Sequence, residues 1–310
     1  MSGAESAGRV TAPDGRSSAR REEVGFHAYR LAAWLSRTLP PRIGTIVFDL
    51  LGRAGLALLP GVRATVRANQ AQVLGLPPEH PTVRASTREA FRTYARYWHE
   101  TFQIPMLTEE EFLARTEAVG YDHVEDALAL GRGVICVLPH LGNWDAGGRF
   151  MTTRGLSVVS VAEELRPDRL FRLFLDHRRE LGLEILGLSR DAQVGRRLAS
   201  ALAANRVVAL VADRDLTGRG VEVPMFGRPR RLPAGPALLS LTTGAPILVT
   251  PVYQVAGGWR IVFSAPLEAD ATGERRRDVA ALTRRMGEAF ERAISAAPAD
   301  WHLFQPAWEP

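Results

Sequence analysis

A histidine and an aspartate five positions apart are the residues of this sequence best suited to move a proton. His140 follows the apolar run of residues 133–138 after a single Pro139, and Asp145 lies five residues further on. An imidazole can accept the proton of a hydroxyl group, and a carboxylate can orient the ring and stabilise its charged form. The pair therefore predicts a site that deprotonates a hydroxyl.

The spacing of the two residues restricts where they can lie. Five residues along a regular helix turn the side chain roughly 140° away from the starting face, so His140 and Asp145 cannot meet within one helix. They can meet if His140 lies on a turn and Asp145 lies in the first turn of the helix that follows. Gly142 suits such a turn, and Asn143 is a good N-cap. The free backbone N–H groups near Gly142 and Asn143 could then stabilise an oxyanion.

The elements around this motif predict an α/β fold with a central, mostly parallel sheet flanked by helices. Apolar runs that read as strands alternate with helical stretches, which is typical of that class. The predicted strands are 134–138, 157–162, 207–211, 247–253 and 259–263, and the predicted helices are 168–181 and 191–204. A further helix within 81–112 carries aromatic residues at intervals of three and four, a spacing typical of a core-facing stripe and less often of a lipid groove.

Asp213 lies at the end of the predicted strand 207–211. Charged residues at strand ends in α/β sheets tend to face the ligand crevice, so Asp213 is a second candidate for the site. The alternative interpretation is that its side chain caps a helix or a turn.

The domain organisation is predicted to consist of a tail and one domain. Residues 1–22 contain almost no large apolar side chains and are expected to be a disordered tail, without the apolar core of a signal peptide. Residues 23–310 are expected to form a single domain. Residues 23–60 are apolar and helical in pattern, but charges and prolines leave no uncharged stretch long enough to cross a bilayer. They form either core helices or an amphipathic surface in the membrane interface.

Composition limits the function classes. The chain has 310 residues, 46% of them hydrophobic, and its one cysteine, Cys136, excludes a disulfide framework within the chain. All 39 basic residues are arginine, and the net charge of +5 suits an anionic partner such as a lipid headgroup or the phosphates of coenzyme A. Nucleic acid is disfavoured, because the sequence has no zinc-ligand spacing and no single basic recognition helix. The oligomeric state is left open.

The motif and a series of ordered blocks resemble the bacterial lipid A-type lauroyl and myristoyl acyltransferases. Within that superfamily the chain is most similar to the actinobacterial phosphatidylinositol mannoside acyltransferases. The resemblance covers about residues 25–309 and is specific as an ordered set. Its blocks are GRGVICVLPHLGNWD at 131–145, AEELRP at 162–167, FLDHRRELG at 174–182, ADRDL at 212–216, GVEVPMFG at 220–227 and LPAGP at 232–236.

The resemblance implies a glycerolipid acyltransferase-like fold with a membrane-associating helical segment at residues 23–60. It implies transfer of a fatty acyl chain from acyl-CoA to a hydroxyl of a glycolipid, a mannose of phosphatidylinositol mannosides in the first instance. His140 would be the base. Asp145 and Asp213 would assist it, although Asp213 replaces a glutamate of the family and is one methylene shorter, which leaves its contact with His140 open.

Three arginines would bind the headgroup or phosphates of the substrates by the same resemblance: Arg166, Arg178 and Arg214. No metal and no cofactor other than the acyl-CoA donor is implied. The enzyme would act as a peripheral protein on the cytoplasmic face of the cell membrane. Two other functions share these features: a lysophospholipid or lipid A-type acyltransferase, and a lipid-binding protein without catalytic activity.

Overall fold

The computed structural model describes residues 15–164, 166–188, 193–268 and 272–308, with side chains from residue 22 onwards. The strands are β1 Thr116–Val119, β2 Val134–Leu138, β3 Val158–Ala162, β4 Leu183–Gly187, β5 Val207–Val211, β6 Val221–Met225, β7 Arg228–Leu232, β8 Ile247–Val249, β9 Val252–Val255 and β10 Gly258–Val262. The helices are α1 Gly15–Thr38, α2 Pro41–Leu58, α3 Pro60–Leu74, α4 Pro81–Gln103, α5 Glu109–Leu113, α6 Asp122–Ala129, α7 Trp144–Thr153, α8 Asp168–Glu180, α9 Gln193–Ala203, α10 Gly235–Thr243 and α11 Arg275–Ala296.

A parallel sheet of five strands forms the centre of the fold, in the order β4-β3-β5-β2-β8. Every residue of β2 is buried, as expected for a parallel strand covered on both faces. Strands β2 and β5 are neighbours and run in the same direction, so the residues that follow them meet at one edge of the sheet. The predicted α/β class with a central, mostly parallel sheet is confirmed.

Two hydrophobic clusters cover the faces of this sheet. Successive side chains of a strand point to opposite faces, and β2 divides accordingly. Ile135 and Val137 belong to the cluster that contains α9, α10 and α11, whereas Val134 and Cys136 belong to the cluster formed with α6 and α7. Cys136 is thus a small core residue, and its burial raises the pKa of its thiol to about 12.

Several predicted elements differ from the observed ones. The strand predicted over 247–253 is divided into β8 and β9, which lie in different sheets. Pro251 lies between them and has no N–H group with which to continue the ladder. Strand β9 instead joins a small sheet in the order β1-β10-β9, and β6 and β7 form a separate antiparallel hairpin. The helix predicted over 191–204 is observed as Gln193–Ala203, and residues 191 and 192 lie outside the described residues.

The N-terminal region forms three consecutive helices. Residues 1–14 of the predicted tail lie outside the described residues, and α1 already covers residues 15–22. Helix α2 packs on α4 through Gly44, Phe48 and Gly52, and a Cβ at Gly52 would lie 2.7 Å from the Phe91 carbonyl oxygen. No single described helix is long and apolar enough to span a bilayer. By length and composition alone, α2 and α3 meet this requirement only when they are taken together, as a pair bent by 97°.

Candidate active site

The turn after β2 has the conformation that the motif predicts. Asn143 caps α7, because its side chain accepts a hydrogen bond from the backbone N–H of Ala146. Gly142 has a φ of +59°, and a Cβ there would lie 1.9 Å from the Val252 carbonyl oxygen. A side chain at this position would therefore be both strained and obstructed. The turn leaves the His140 side chain partly exposed, at 22%, at the edge of a groove.

His140 pairs with Asp213, which lies two positions after the last residue of β5. The imidazole Nδ1 lies 2.5 Å from Asp213 Oδ1, and the backbone N–H of His140 donates to Asp213 Oδ2 at 3.1 Å. Asp213 is fully buried. Asp213 therefore contacts His140 although it is one methylene shorter than a glutamate. The adjacent parallel strands β2 and β5 bring the two residues close enough for an aspartate to reach.

Electrostatics keeps Asp213 ionised. Burial alone would raise the pKa of its carboxyl, but the charge and hydrogen bond of His140, with help from Arg230 and the Trp301 N–H, hold that pKa well below its usual range. An ionised carboxylate only accepts hydrogen bonds, so Nδ1 of His140 carries the proton in the neutral imidazole. Nε2 is then left as the proton acceptor.

The orienting role predicted for Asp145 is corrected by the structure. The buried Asp145 carboxylate accepts a hydrogen bond from Arg178 Nε at 3.1 Å and contacts the Tyr97 hydroxyl at 3.4 Å. Among the described residues, the carboxylate that contacts the His140 ring is that of Asp213. Because α7 begins at Trp144, Asp145 lies in its first turn and packs against α4 and α8. We therefore assign Asp145 a structural role, in which it holds α7 against α4 and α8 through Tyr97 and Arg178.

The Asp145–Arg178 ion pair leads to a prediction about stability. The side chains are 3% and 15% exposed, so replacing Arg178 with leucine leaves a buried carboxylate without its cation. We expect Arg178→Leu to lower the free energy of unfolding by about 3 kcal/mol in denaturant titrations. The adjacent Arg179 forms an exposed pair with Asp176 and provides a matched control, Arg179→Leu, with an expected change below about 1 kcal/mol. Equal losses in the two variants would contradict the assignment.

The remaining predicted residues fall into two groups. Arg178 and Arg214 line the groove, where Arg214 also pairs with Glu163 at 3.8 Å. Arg166 is exposed and is not among the lining residues, so its predicted role is not supported by this geometry. The Gly142 N–H donates to the Asp300 carbonyl at 2.8 Å and is not available to an oxyanion, contrary to our expectation. Within the described residues, the N–H groups of Asn143 and Trp144 have no acceptor.

The groove beside His140 has a volume of about 1040 Å³. Its walls are largely apolar, and α4 and α8 contribute an aromatic wall composed of Tyr94, Tyr97, Trp98, Phe171 and Phe174. A smaller cavity of about 70 Å³ lies next to it, between α7 and the sheet, with Trp144 and Arg178 lining both spaces. An apolar groove of this volume with a few polar groups is suited to a substrate with an alkyl chain.

Residues 301 and 302 also approach the site, although the sequence did not indicate them. Trp301 donates from its indole nitrogen to Asp213 Oδ2 at 2.8 Å, and the backbone N–H of His302 donates to the His140 carbonyl at 2.7 Å. Burial lowers the pKa of His302 to about 3, so this second histidine stays neutral. No local pattern marks these residues, because they are separated from their partners by 88 and 162 positions.

Comparison with known proteins agrees with the site. The family model of bacterial lipid A biosynthesis acyltransferases matches residues 16–309. The chain therefore belongs to that family and is an acyltransferase. It is 38% identical over 302 residues to a phosphatidylinositol mannoside acyltransferase of Mycobacterium tuberculosis (strain ATCC 25618 / H37Rv), covering 95% of this chain and 92% of the relative. It is 36% identical over 282 residues to the protein of that name from Mycolicibacterium smegmatis (strain ATCC 700084 / mc(2)155), covering 89% of each chain.

Proposed function

We propose that this enzyme transfers a fatty acyl chain from acyl-CoA to a hydroxyl of a glycolipid, a mannose of a phosphatidylinositol mannoside, with His140 as the general base. The observation that carries the proposal is the contact between His140 and the buried, ionised Asp213 at the edge of a large apolar groove. The names of the relatives support the acceptor.

The chemistry proceeds by direct attack. His140 Nε2 accepts the proton of the acceptor hydroxyl while its oxygen attacks the thioester carbonyl, and Asp213 stabilises the imidazolium that forms. The tetrahedral intermediate collapses with cleavage of the C–S bond, and the departing thiolate takes the proton from the imidazolium. The N–H groups of Asn143 and Trp144, at the N-terminus of α7, are the proposed donors to the oxyanion.

The charge of the groove supports an anionic substrate. Arginines outnumber acidic residues among its lining side chains, and guanidinium groups bind phosphate with two parallel hydrogen bonds. The lining arginines are Arg178, Arg196, Arg214, Arg219 and Arg275, against Glu163 and Asp215. Arg178 is held in a buried ion pair with Asp145, whereas the pair between Arg214 and Glu163 is longer, at 3.8 Å, and more exposed. We therefore assign the phosphates of acyl-CoA or of the acceptor to the four arginines other than Arg178.

The acceptor is tested by a panel assay. Purified enzyme is incubated with radiolabelled acyl-CoA and, in parallel, with phosphatidylinositol mannosides, lysophospholipids and a lipid A precursor, and the lipids are separated. We expect label on the mannosides alone. Label on a lysophospholipid or on the lipid A precursor would assign the alternative acceptor, and absence of label from every lipid would contradict transfer from acyl-CoA.

The outer surface of α1 and α2 supports a peripheral position on the membrane. Helix α2 buries its glycine-containing face on α4, yet its opposite face is also apolar and lies in solvent. We call the exposed set Leu31, Trp34, Ile43, Ile46, Leu50, Leu51 and Leu58 the apolar patch. An exposed apolar helix face is typical of a helix that lies in the membrane interface. We propose that this patch binds the cytoplasmic face of the cell membrane, where acyl-CoA is available.

Vesicle flotation tests this position. We expect the enzyme to float with vesicles that contain phosphatidylinositol, and binding to weaken as salt rises, because the screening length falls to about 8 Å at 0.15 M. Leu50→Glu, on the apolar patch, should reduce binding by about tenfold or more, since it removes the insertion of one leucine. Leu130 is exposed to a similar extent at the end of α6, and Leu130→Glu is the matched control. Equal binding by both variants, or no flotation of the wild type, would contradict the proposal.

A further inference from the structure

Residues 300–302 hold the catalytic turn on both sides of Leu141, the residue next to His140. Asp300 accepts the Gly142 N–H through its carbonyl, and the His302 N–H donates to the His140 carbonyl. Between them, Leu141 forms an antiparallel bridge with Trp301. The backbone of residues 300–302 therefore pairs with residues 140–142 and fixes where His140 lies relative to β5.

The side chain of Trp301 forms a hydrogen bond with Asp213, the residue that pairs with His140. Trp301 is 1% exposed, and its Nε1–H donates to Asp213 Oδ2 at 2.8 Å. The same oxygen accepts the His140 backbone N–H, while Oδ1 faces the imidazole. The torsion that rotates an aspartate carboxylate is broad, so these donors are needed to keep Oδ1 directed at Nδ1.

Trp301 is itself held in place by a cation. The Arg230 guanidinium carbon lies 5.3 Å from the Trp301 ring and 5.5 Å from the Trp308 ring, and Arg230 Nη2 donates to the Asp213 backbone carbonyl at 2.6 Å. The two indoles also contact each other edge to face, with ring centres 6.0 Å apart. Trp301 is thus packed against the Arg230 guanidinium, which also binds the Asp213 backbone.

We propose that Trp301 is a positioning residue for acyl transfer, whose indole N–H holds the Asp213 carboxylate in the orientation that keeps Nε2 of His140 free to accept a proton. The inference rests on the proposed role of His140 as base. It extends that role to a residue that touches neither substrate and acts only through Asp213.

Trp308 provides a matched control for the test. It lies on the same arginine and is almost as buried, at 9% exposed, but within the described residues its Nε1 has no hydrogen-bond partner. Trp301→Phe and Trp308→Phe therefore remove similar volumes next to Arg230. Only the first removes a hydrogen bond to Asp213.

Two measurements test the proposal. We expect Trp301→Phe to lower kcat by about tenfold or more, with KM for both substrates within about twofold, because the lost bond is to a charged acceptor. Trp308→Phe should keep kcat. In proton NMR, the far-downfield resonance of a histidine Nδ1–H bound to a carboxylate should be present in the wild type and in Trp308→Phe, and broadened or lost in Trp301→Phe.

The outcomes are distinguishable. Normal kcat and an unchanged resonance in folded Trp301→Phe would overturn the proposal, and so would equal losses in the two variants, which would indicate packing alone. If Trp301→Phe does not fold, benzothienylalanine at position 301 keeps the ring shape without the N–H, and the same results are expected of it. His140→Gln, assayed in parallel, tests the base separately: normal activity there would remove the proposed function, whatever the resonance shows.

Discussion

Replacement of His140 by alanine is expected to reduce kcat for acyl transfer by about 10²–10⁴-fold, the range typical of a lost general base. The nearby His302 cannot take over, because it is buried, neutral and hydrogen-bonded through Nε2 to Thr93. The loss should appear at saturating concentrations of both substrates, since the imidazole acts in the chemical step.

The fold should survive this change. Asp213 keeps the Trp301 N–H and the charge of Arg230, so we expect the free energy of unfolding to fall by only about 1–3 kcal/mol. Thermal unfolding measured on the same samples separates lost chemistry from lost structure. His123→Ala, in α6 and not lining either cavity, is the control and should keep normal turnover. Near-normal turnover of folded His140→Ala would show that His140 is not the general base.

The second large effect is expected for Asp213→Asn. An asparagine that directs its NH₂ group at Nδ1 would favour the tautomer with the proton on Nε2, where it blocks the base. We expect kcat to fall by up to about 10⁴-fold, the effect of the same change at the orienting carboxylate of a serine protease. Asp278 is equally a buried, hydrogen-bonded aspartate, and Asp278→Asn should leave kcat unchanged. Full activity of Asp213→Asn would indicate that the Asp213 carboxylate only caps a helix or a turn and has no role in catalysis.

Asp213 should also contribute to the pH dependence of stability. Because its pKa is lowered in the folded protein, its contribution is present above the ordinary pKa of an aspartate, near 4, and is lost as pH falls towards the folded value. The difference in free energy of unfolding between wild type and Asp213→Asn should therefore narrow as the pH is lowered from 7 to 3. A constant difference over this range would contradict the ionised state.

Local features of the site could be predicted from the sequence. The buried strand, the turn at Gly142 and the N-cap at Asn143 depend on neighbouring residues, and the structure has all three. The position of Asp213 after β5 was also predictable from the apolar run before it. Its contact with His140 was not, because it depends on β2 and β5 being neighbours in the sheet.

Contacts between distant segments could not be predicted. Asp145 was expected to face His140, but the packing of α8 brings Arg178 to it from 33 positions away. Likewise, nothing near Trp301 indicates that it reaches Asp213. The division between β8 and β9 is different, because Pro251 is a local signal in the sequence that a strand ladder is interrupted there. For the N-terminal helices, the sequence did not decide between core helices and a surface in the membrane interface. Helix α2 has one buried face and one exposed apolar face.

The most direct test of the proposed mechanism is a single reaction followed by mass spectrometry. Purified enzyme is mixed with acyl-CoA and a phosphatidylinositol mannoside and then quenched, and the lipid, free coenzyme A and intact protein are measured together. Direct transfer by His140 predicts a lipid heavier by one acyl group, an equal amount of free coenzyme A and a protein of unchanged mass, with no product from His140→Ala. An unmodified lipid, an acyl group attached to the protein, or product formation by His140→Ala would contradict it.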